Sequence, residues 1–178
     1  MRLVCSLFLV LVAVVATPLR ADPILEYRTV LDEKVRLLVP VEFTVMSDEM
    51  RQFKYPRDRP PTLALTNESG SVNLAFNHTS SRGSLADLPK YHEFFRKSDR
   101  TLLPAVEWIR DEITTINGRN FILREFRSPA IDTDIHNIMA LTFVDGRLLI
   151  VAFNTVVELE DEWLATGHKM IESIEIVE

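Results

Sequence analysis

Residues 112–122 read EITTINGRNFI and residues 140–150 read ALTFVDGRLLI. Each holds an Asn-Gly or Asp-Gly pair between apolar β-formers. Such a pair accepts positive φ at both positions and reads as a tight hairpin turn. Working outward, residues 106–155 read as four strands joined by three turns. Ile138, Ala140 and Val144 alternate with Met139, Leu141 and Phe143, and Leu149, Val151 and Phe153 alternate with Leu148, Ile150 and Ala152. Both faces of these last two strands are apolar, which predicts central strands covered on both sides. The first two, 106–116 and 119–127, carry more charge and are predicted nearer an edge.

The flanking chain adds strands and helices to this meander. Residues 24–31 and 35–39 read as a first hairpin across Asp32-Glu33, with Pro40 ending the second strand by removing a ladder donor. Ser47 is the expected cap of a short helical turn running to about Phe53. Residues 62–66 and 71–77 read as a second hairpin around Asn67-Glu68-Ser69-Gly70, and 80–84 as loop. Asp87 is the expected cap of a helix with Pro89 in its first turn and Leu88, Tyr91, Phe95 and Leu102 on its buried stripe, stopped by Pro104. Residues 158–172 form a second main helix with Leu159, Trp163, Met170 and Ile174 inward, and 173–177 a closing strand.

The N-terminus reads as a targeting segment. Met1-Arg2 is basic, Leu3 to Ala16 is an almost unbroken apolar run, and Thr17 to Ala21 is a break with small residues. The run is short for a membrane span and has the proportions of a signal peptide. Cleavage is expected after Ala21, with Ala16 as the other small-residue position. The expected organisation is therefore a signal peptide over 1–21 and one domain over 22–178, periplasmic or secreted, without a stable membrane span. The single cysteine, Cys5, falls in the leader. The mature chain then has no thiol for catalysis, disulfides or zinc.

Hydrophobic content of 47% and charged content of 26% are those of an ordinary globular protein. Removing Arg2 and Arg20 leaves a net charge of about −8, which argues against nucleic acid as a partner. His78, His92, His136 and His168 lack metal-pair spacing, and solvated or partly buried histidines are the expectation. No serine sits in a nucleophile elbow, and no glycine-rich loop cradles phosphate. The carboxylates of 158–162 read as a solvated helix start. No catalytic residue, metal or cofactor is expected.

One surface stretch stands out. Arg51, Lys54, Tyr55, Arg57 and Arg59 read as a basic, aromatic-bearing, proline-stiffened loop on an otherwise acidic chain. A stiff loop loses little entropy on binding, and arginine and tyrosine are favoured interface residues. This is the expected docking surface for a protein partner. A competing expectation is a small-molecule or lipid pocket between the sheet and the 158–172 helix, lined by Trp163, Met170 and Phe153.

The order of these features resembles the PsbP-like superfamily, including DcrB-type exported bacterial proteins. The resemblance rests on the hairpin into Val39-Pro40-Val41-Glu42-Phe43, the Leu88-Pro89-Lys90-Tyr91 helix, the two Gly-Arg turns, and the last helix ending in Ser173-Ile174-Glu175-Ile176. It spans nearly all of the expected mature chain. It implies an α+β fold, a three-layer α/β/α sandwich around a largely antiparallel sheet. It also implies a non-enzymatic role as an assembly factor, accessory subunit, chaperone-like binder or envelope protein. The leading expectation is an exported, non-catalytic binder of a protein partner, one version being an immunity or chaperone-like partner of a secreted effector.

Overall fold

The computed structural model describes residues 22–55, 60–102, 105–130 and 132–177. The leader, Arg57, Arg59 and Pro104 lie outside them. The first elements are β1 (Leu25–Val30), β2 (Val35–Pro40), β3 (Thr44–Val45), α1 (Asp48–Lys54), β4 (Leu63–Thr66), β5 (Val72–Arg82) and α2 (Leu88–Leu102). The meander follows as β6 (Glu107–Ile116), β7 (Arg119–Pro129), β8 (Asp134–Val144) and β9 (Arg147–Val156), then α3 (Glu160–Glu172) and β10 (Glu175–Ile176). Seven strands make one antiparallel sheet in the order β3-β4-β5-β9-β8-β7-β6, and β1-β2-β10 make a small second sheet. The two strands that are apolar on both faces, β8 and β9, are central, and β6 is an edge.

Each face of the large sheet is covered. On one, Leu74, Phe76, Val151 and Phe153 meet Val35, Leu37 and Val39 of β2 and Trp163, Met170 and Ile171 of α3. On the other, Ile122, Leu141, Phe143 and Leu148 meet Leu88, Tyr91 and Phe95 of α2. This is the α/β/α sandwich that the resemblance implied, with the central strands covered on both faces as their patterning predicted. Trp163, Met170 and Phe153, the expected lining of a carrier pocket, are instead buried core. The layers there are in close contact: a Cβ added at Gly167 would lie 2.4 Å from the Phe153 ring. The carrier expectation is not supported there: the three side chains belong to one packed core cluster.

The two Gly-Arg turns contribute more than chain reversal. Asn117 and Gly118 have φ of 46° and 80°, and Asp145 and Gly146 of 50° and 67°, as a tight hairpin requires. Past the first turn, Arg119 donates to the Phe143 carbonyl. Past the second, Arg147 donates to the carbonyls of Thr79 and His78 at 2.8 and 2.7 Å. Asn117 reaches the other way, and its amide donates to the carbonyls of Glu172 and Ile174 at 3.2 and 3.1 Å. A turn side chain thus satisfies carbonyls at the end of α3 that the helix itself leaves open.

Two local expectations are corrected. Strand β5 continues to Arg82, through residues expected as loop, because its pairing with β9 resumes after an irregularity and Arg147 satisfies carbonyls there. Asp87 does not cap α2. It lies inside a 3-10 turn, Leu85–Asp87, and accepts from the Ser84 N–H at 2.9 Å and the Ser84 hydroxyl at 2.8 Å. The closing strand, expected over 173–177, is Glu175–Ile176 and pairs with β2.

The contact at Gly167 gives a signed expectation. On helix propensity alone, Gly167→Ala would stabilise α3 by about 1 kcal/mol. The Phe153 ring reverses that sign, and denaturant unfolding should show a loss of about 1–3 kcal/mol from overpacking.

Candidate functional site

The stretch expected to bind a partner begins in α1. Ser47 caps this helix by accepting from the Met50 N–H at 3.2 Å, with Asp48 and Glu49 in its first turn and Arg51 and Lys54 in its last. That charge order suits the helix dipole. The helix rests on the β4–β5 turn: a Cβ added at Gly70 would lie 2.9 Å from the Met50 sulfur and 3.2 Å from Lys54 Cε. Tyr55 fixes the end, its hydroxyl donating to Asn73 Oδ1 at 3.0 Å and its pKa pushed up by burial to about 12.

Of the five expected docking residues, the structure places Arg51, Lys54 and Tyr55 together on α1 and its end. Arg51 pairs with Asp48 at 2.7 Å in an exposed contact. Burial lowers the Lys54 ammonium pKa, with Asp132 acting against that shift. The cationic side chains are therefore partly engaged. The residue that sequence reasoning missed is Phe53, 84% exposed on α1. No sequence pattern marked it: the ring is exposed because α1 is short and buries none of its residues.

Two polar clusters lie on opposite faces of the sheet, seeded by neighbouring residues of β7. Arg124 and Glu125 are each 5% exposed. Beneath α2, Arg124 contacts Asp99 of that helix at 2.5 Å and donates from Nε to Asp111 of β6 at 3.1 Å. Its guanidinium lies 4.4 Å from the Trp108 ring centroid, a cation–π distance. His92 of α2 meets Asp111 at 2.7 Å. Arg96, Asp99, Trp108, Asp111 and Arg124 line a half-open cleft of about 240 Å³.

Beneath α3, Glu125 belongs to a chain of charges. His136 of β8, 1% exposed, sets Nε2 2.9 Å from Glu125 and Nδ1 2.6 Å from Glu160 of α3. His168 of α3 also faces Glu125, at 3.3 Å. Arg127 grips Glu160 with a two-bond fork, both contacts 2.7 Å. That fork is the main cause holding the Glu160 carboxyl below its usual range, with His136 adding to it against the opposing effect of burial. Each imidazole nitrogen thus lies within hydrogen-bond distance of a carboxylate oxygen.

These clusters correct two expectations. Glu160 is not part of a solvated helix start; it turns inward and ties α3 to β7 and β8. His136 is enclosed rather than solvated, and its partners come from two other elements. The hint in the sequence was the charged pair Arg124-Glu125 inside an otherwise apolar strand, and sequence distance concealed what it met. Enclosed as it is, His136 ties α3 to the sheet through Glu160. Among the described residues, no group of three or more His, Cys, Asp or Glu is arranged to hold a metal ion, and no helix is long and apolar enough to cross a membrane.

No family model matches the sequence, and no curated protein matches it. Solved structures do match the fold. Cyanobacterial PsbP (CyanoP) from Synechocystis sp. PCC 6803 superposes with a TM-score of 0.60 at 14% identity, over 91% of this chain and 97% of its own. A Bacteroides thetaiotaomicron protein gives 0.53 at 8% identity, over 85% of this chain and 48% of its own. A Pseudomonas aeruginosa protein described as PA94, of unknown function and a putative regulator, gives 0.50 at 11% identity, over 86% and 98%. At these identities the likeness establishes the fold alone, and the fold is PsbP-like.

The Glu160 network sets a pH dependence. A carboxyl whose folded pKa is depressed adds stability that is full above its unfolded value, near 4.5, and is lost as pH falls through the lower folded value. Glu160→Gln should therefore cost on the order of 2 kcal/mol at pH 7. The gap between variant and wild type should narrow below about pH 4.5, read by urea unfolding across pH 3 to 7. A gap independent of pH would mean that Glu160 acts by packing.

Proposed function

We propose that this chain is an exported, non-catalytic accessory protein that binds a protein partner through α1 and the loop after it. The observation that carries this reading is Phe53, an aromatic ring 84% exposed on a short helix that is held from beneath. Ser47 caps the helix, Met50 and Lys54 pack over Gly70, and Tyr55 is tied to Asn73. A surface already ordered loses little entropy when a partner docks. An aromatic anchor with Arg51 and Lys54 beside it has the composition of an interface hot spot. Arg57 and Arg59 extend the basic character along the sequence.

Several features support the rest of the reading. The apolar leader with small residues at 16 and 21 supports export to the periplasm or outside the cell. The titratable clusters of the sheet are spent on one another, Arg124 with two aspartates and His136 with two glutamates, which favours a structural use over turnover. Within the PsbP-like fold we place the chain with DcrB-type exported proteins. An immunity or chaperone-like partner of a secreted effector is the specific form that fits a compact, acidic, cysteine-free domain.

The test uses the immobilised protein and envelope extract. A captured protein should fall at least about tenfold with Phe53→Ser and with Lys54→Glu, a loss of about 1.4 kcal/mol or more. Phe53→Ser should keep its unfolding free energy within about 0.5 kcal/mol of wild type, since the ring is exposed and packs into no core. Capture unchanged by both, or no capture above background, would refute the assignment.

A further inference from the structure

The large sheet ends differently on its two sides. At one, β3 is a two-residue strand. At the other, β6 runs for ten residues, and its only strand partner among the described residues is β7. A long edge with free N–H and C=O groups is a template for another strand unless a bulge, charge or proline guards it. In β6 the guards stand at one end. The register with β7 shifts between Trp108 and Arg110, and the charged residues Arg110, Asp111 and Glu112 follow. Beyond them come Ile113, Thr114, Thr115 and Ile116, all β-branched and uncharged, the residue types that most favour strand. Ile113 is 39% exposed.

We propose that β6 pairs antiparallel with β6 of a second copy of this chain, about a two-fold axis through Ile113.

The register follows from the turn. The tight Asn117-Gly118 turn makes Ile116 and Arg119 the first hydrogen-bonded pair of the β6–β7 ladder. From there the register is unbroken back to Arg110 opposite Glu125. Hydrogen-bonded and non-bonded pairs alternate along such a ladder. Thr114 and Glu112 therefore turn their backbone groups toward β7, and Asp111, Ile113 and Thr115 turn theirs to the free edge. Free groups must meet free groups, so odd-numbered residues of one copy face odd-numbered residues of the other, and the axis passes through a residue.

Charge then selects which residue. An axis at Arg110, Asp111 or Glu112 sets a charged side chain against its own copy, which is destabilising. An axis at Thr114 brings Asp111 against the turn at Asn117 and gives up the outer pairs. With the axis at Ile113, Ile113 meets itself, Glu112 meets Thr114, Asp111 meets Thr115, and Arg110 meets Ile116. No like charges oppose, the whole regular run Arg110–Ile116 is used, and the irregularity stays outside the contact. Asp111 enters already held by His92 and Arg124. Pairing along one strand buries little area, so the dimer is a weak one, on the order of micromolar.

Sedimentation equilibrium on the purified protein over a concentration series should show a monomer–dimer equilibrium. Ile113→Pro removes an N–H that points away from β7, so the β6–β7 ladder survives while the pairing across the axis loses a donor. The dissociation constant should rise at least about tenfold with an unchanged circular dichroism spectrum. Ile113→Lys, which leaves the backbone intact and sets two like charges at the axis, should do the same. In a Cys5→Ser background, Ile113→Cys should close an intermolecular disulfide on oxidation, because opposed residues of a hydrogen-bonded pair lie about 5.5 Å apart at Cα. Thr115→Cys, which faces Asp111, should not. A monomer at every concentration up to about 1 mM, or a dimer that both Ile113 variants leave intact, would overturn the proposal.

Discussion

Two neighbouring charges on β7 set the register of this fold. Arg124 and Glu125 point to opposite faces because strand side chains alternate, and each is buried under a different helix. Arg124 meets Asp99 and Asp111 on the α2 side. Glu125 meets His136 on the α3 side, and His136 passes the contact on to Glu160. Slip the strand by one residue and every side chain changes face. Glu125 would then confront two aspartates, and Arg124 would face the His136 ring without the two aspartates it now meets. Buried ion pairs contribute modest net stability because desolvation cancels much of their attraction. Their effect here is specificity: a seven-stranded sheet with apolar residues on both faces has many near-equivalent registers, and the charges make the wrong ones costly.

The helices are located by the same devices. Hydrophobic packing alone lets a helix slide on a sheet, since apolar contact has no direction. Helix α3 is pinned at its start by the fork from Arg127 to Glu160 and at its end by the Asn117 amide on the carbonyls of Glu172 and Ile174. Between these points Gly167 lets the helix approach the Phe153 ring. Helix α2 is pinned by Asp99 on Arg124 and by the Tyr91 hydroxyl on the Arg82 carbonyl, at 2.9 Å.

The local grammar of the chain was readable and its long-range contacts were not. The Asn-Gly and Asp-Gly turns, the two-faced apolar strands, the Ser47 cap and the inward face of α3 each depend on residues within a few positions of one another. Most of what failed depended on distance. His136 finds Glu125 and Glu160 on two other elements, and no spacing in the sequence announces that meeting. Ser80 to Arg82 look like loop because they are polar, and they become strand because β9 offers them a partner. Asp87 looked like a cap by residue type, but Ser84 three positions earlier is the better start once a 3-10 turn precedes α2. At the candidate docking site the basic residues were legible as composition. The exposed ring of Phe53 was not, because exposure is a property of what fails to pack against a residue.

The strand order bears on how the surfaces work together. Helix α1 rests over the β4–β5 turn, near the β3 side of the sheet, and β6 forms the opposite edge. A partner seated on Phe53 and a second copy seated along β6 would therefore not compete for the same face. Pairing through β6 would give an assembly with two α1 surfaces, one at each far end of a continuous sheet. For a partner that itself presents two copies of its epitope, the second contact becomes intramolecular, and overall affinity can exceed that of either site by a factor of about 10² to 10⁴. The gain exists only where the partner's spacing matches that of the two ends. A weak edge contact would then act as a ruler, making binding strong for a correctly spaced partner and weak for a monomeric one, without any change in the residues that touch it.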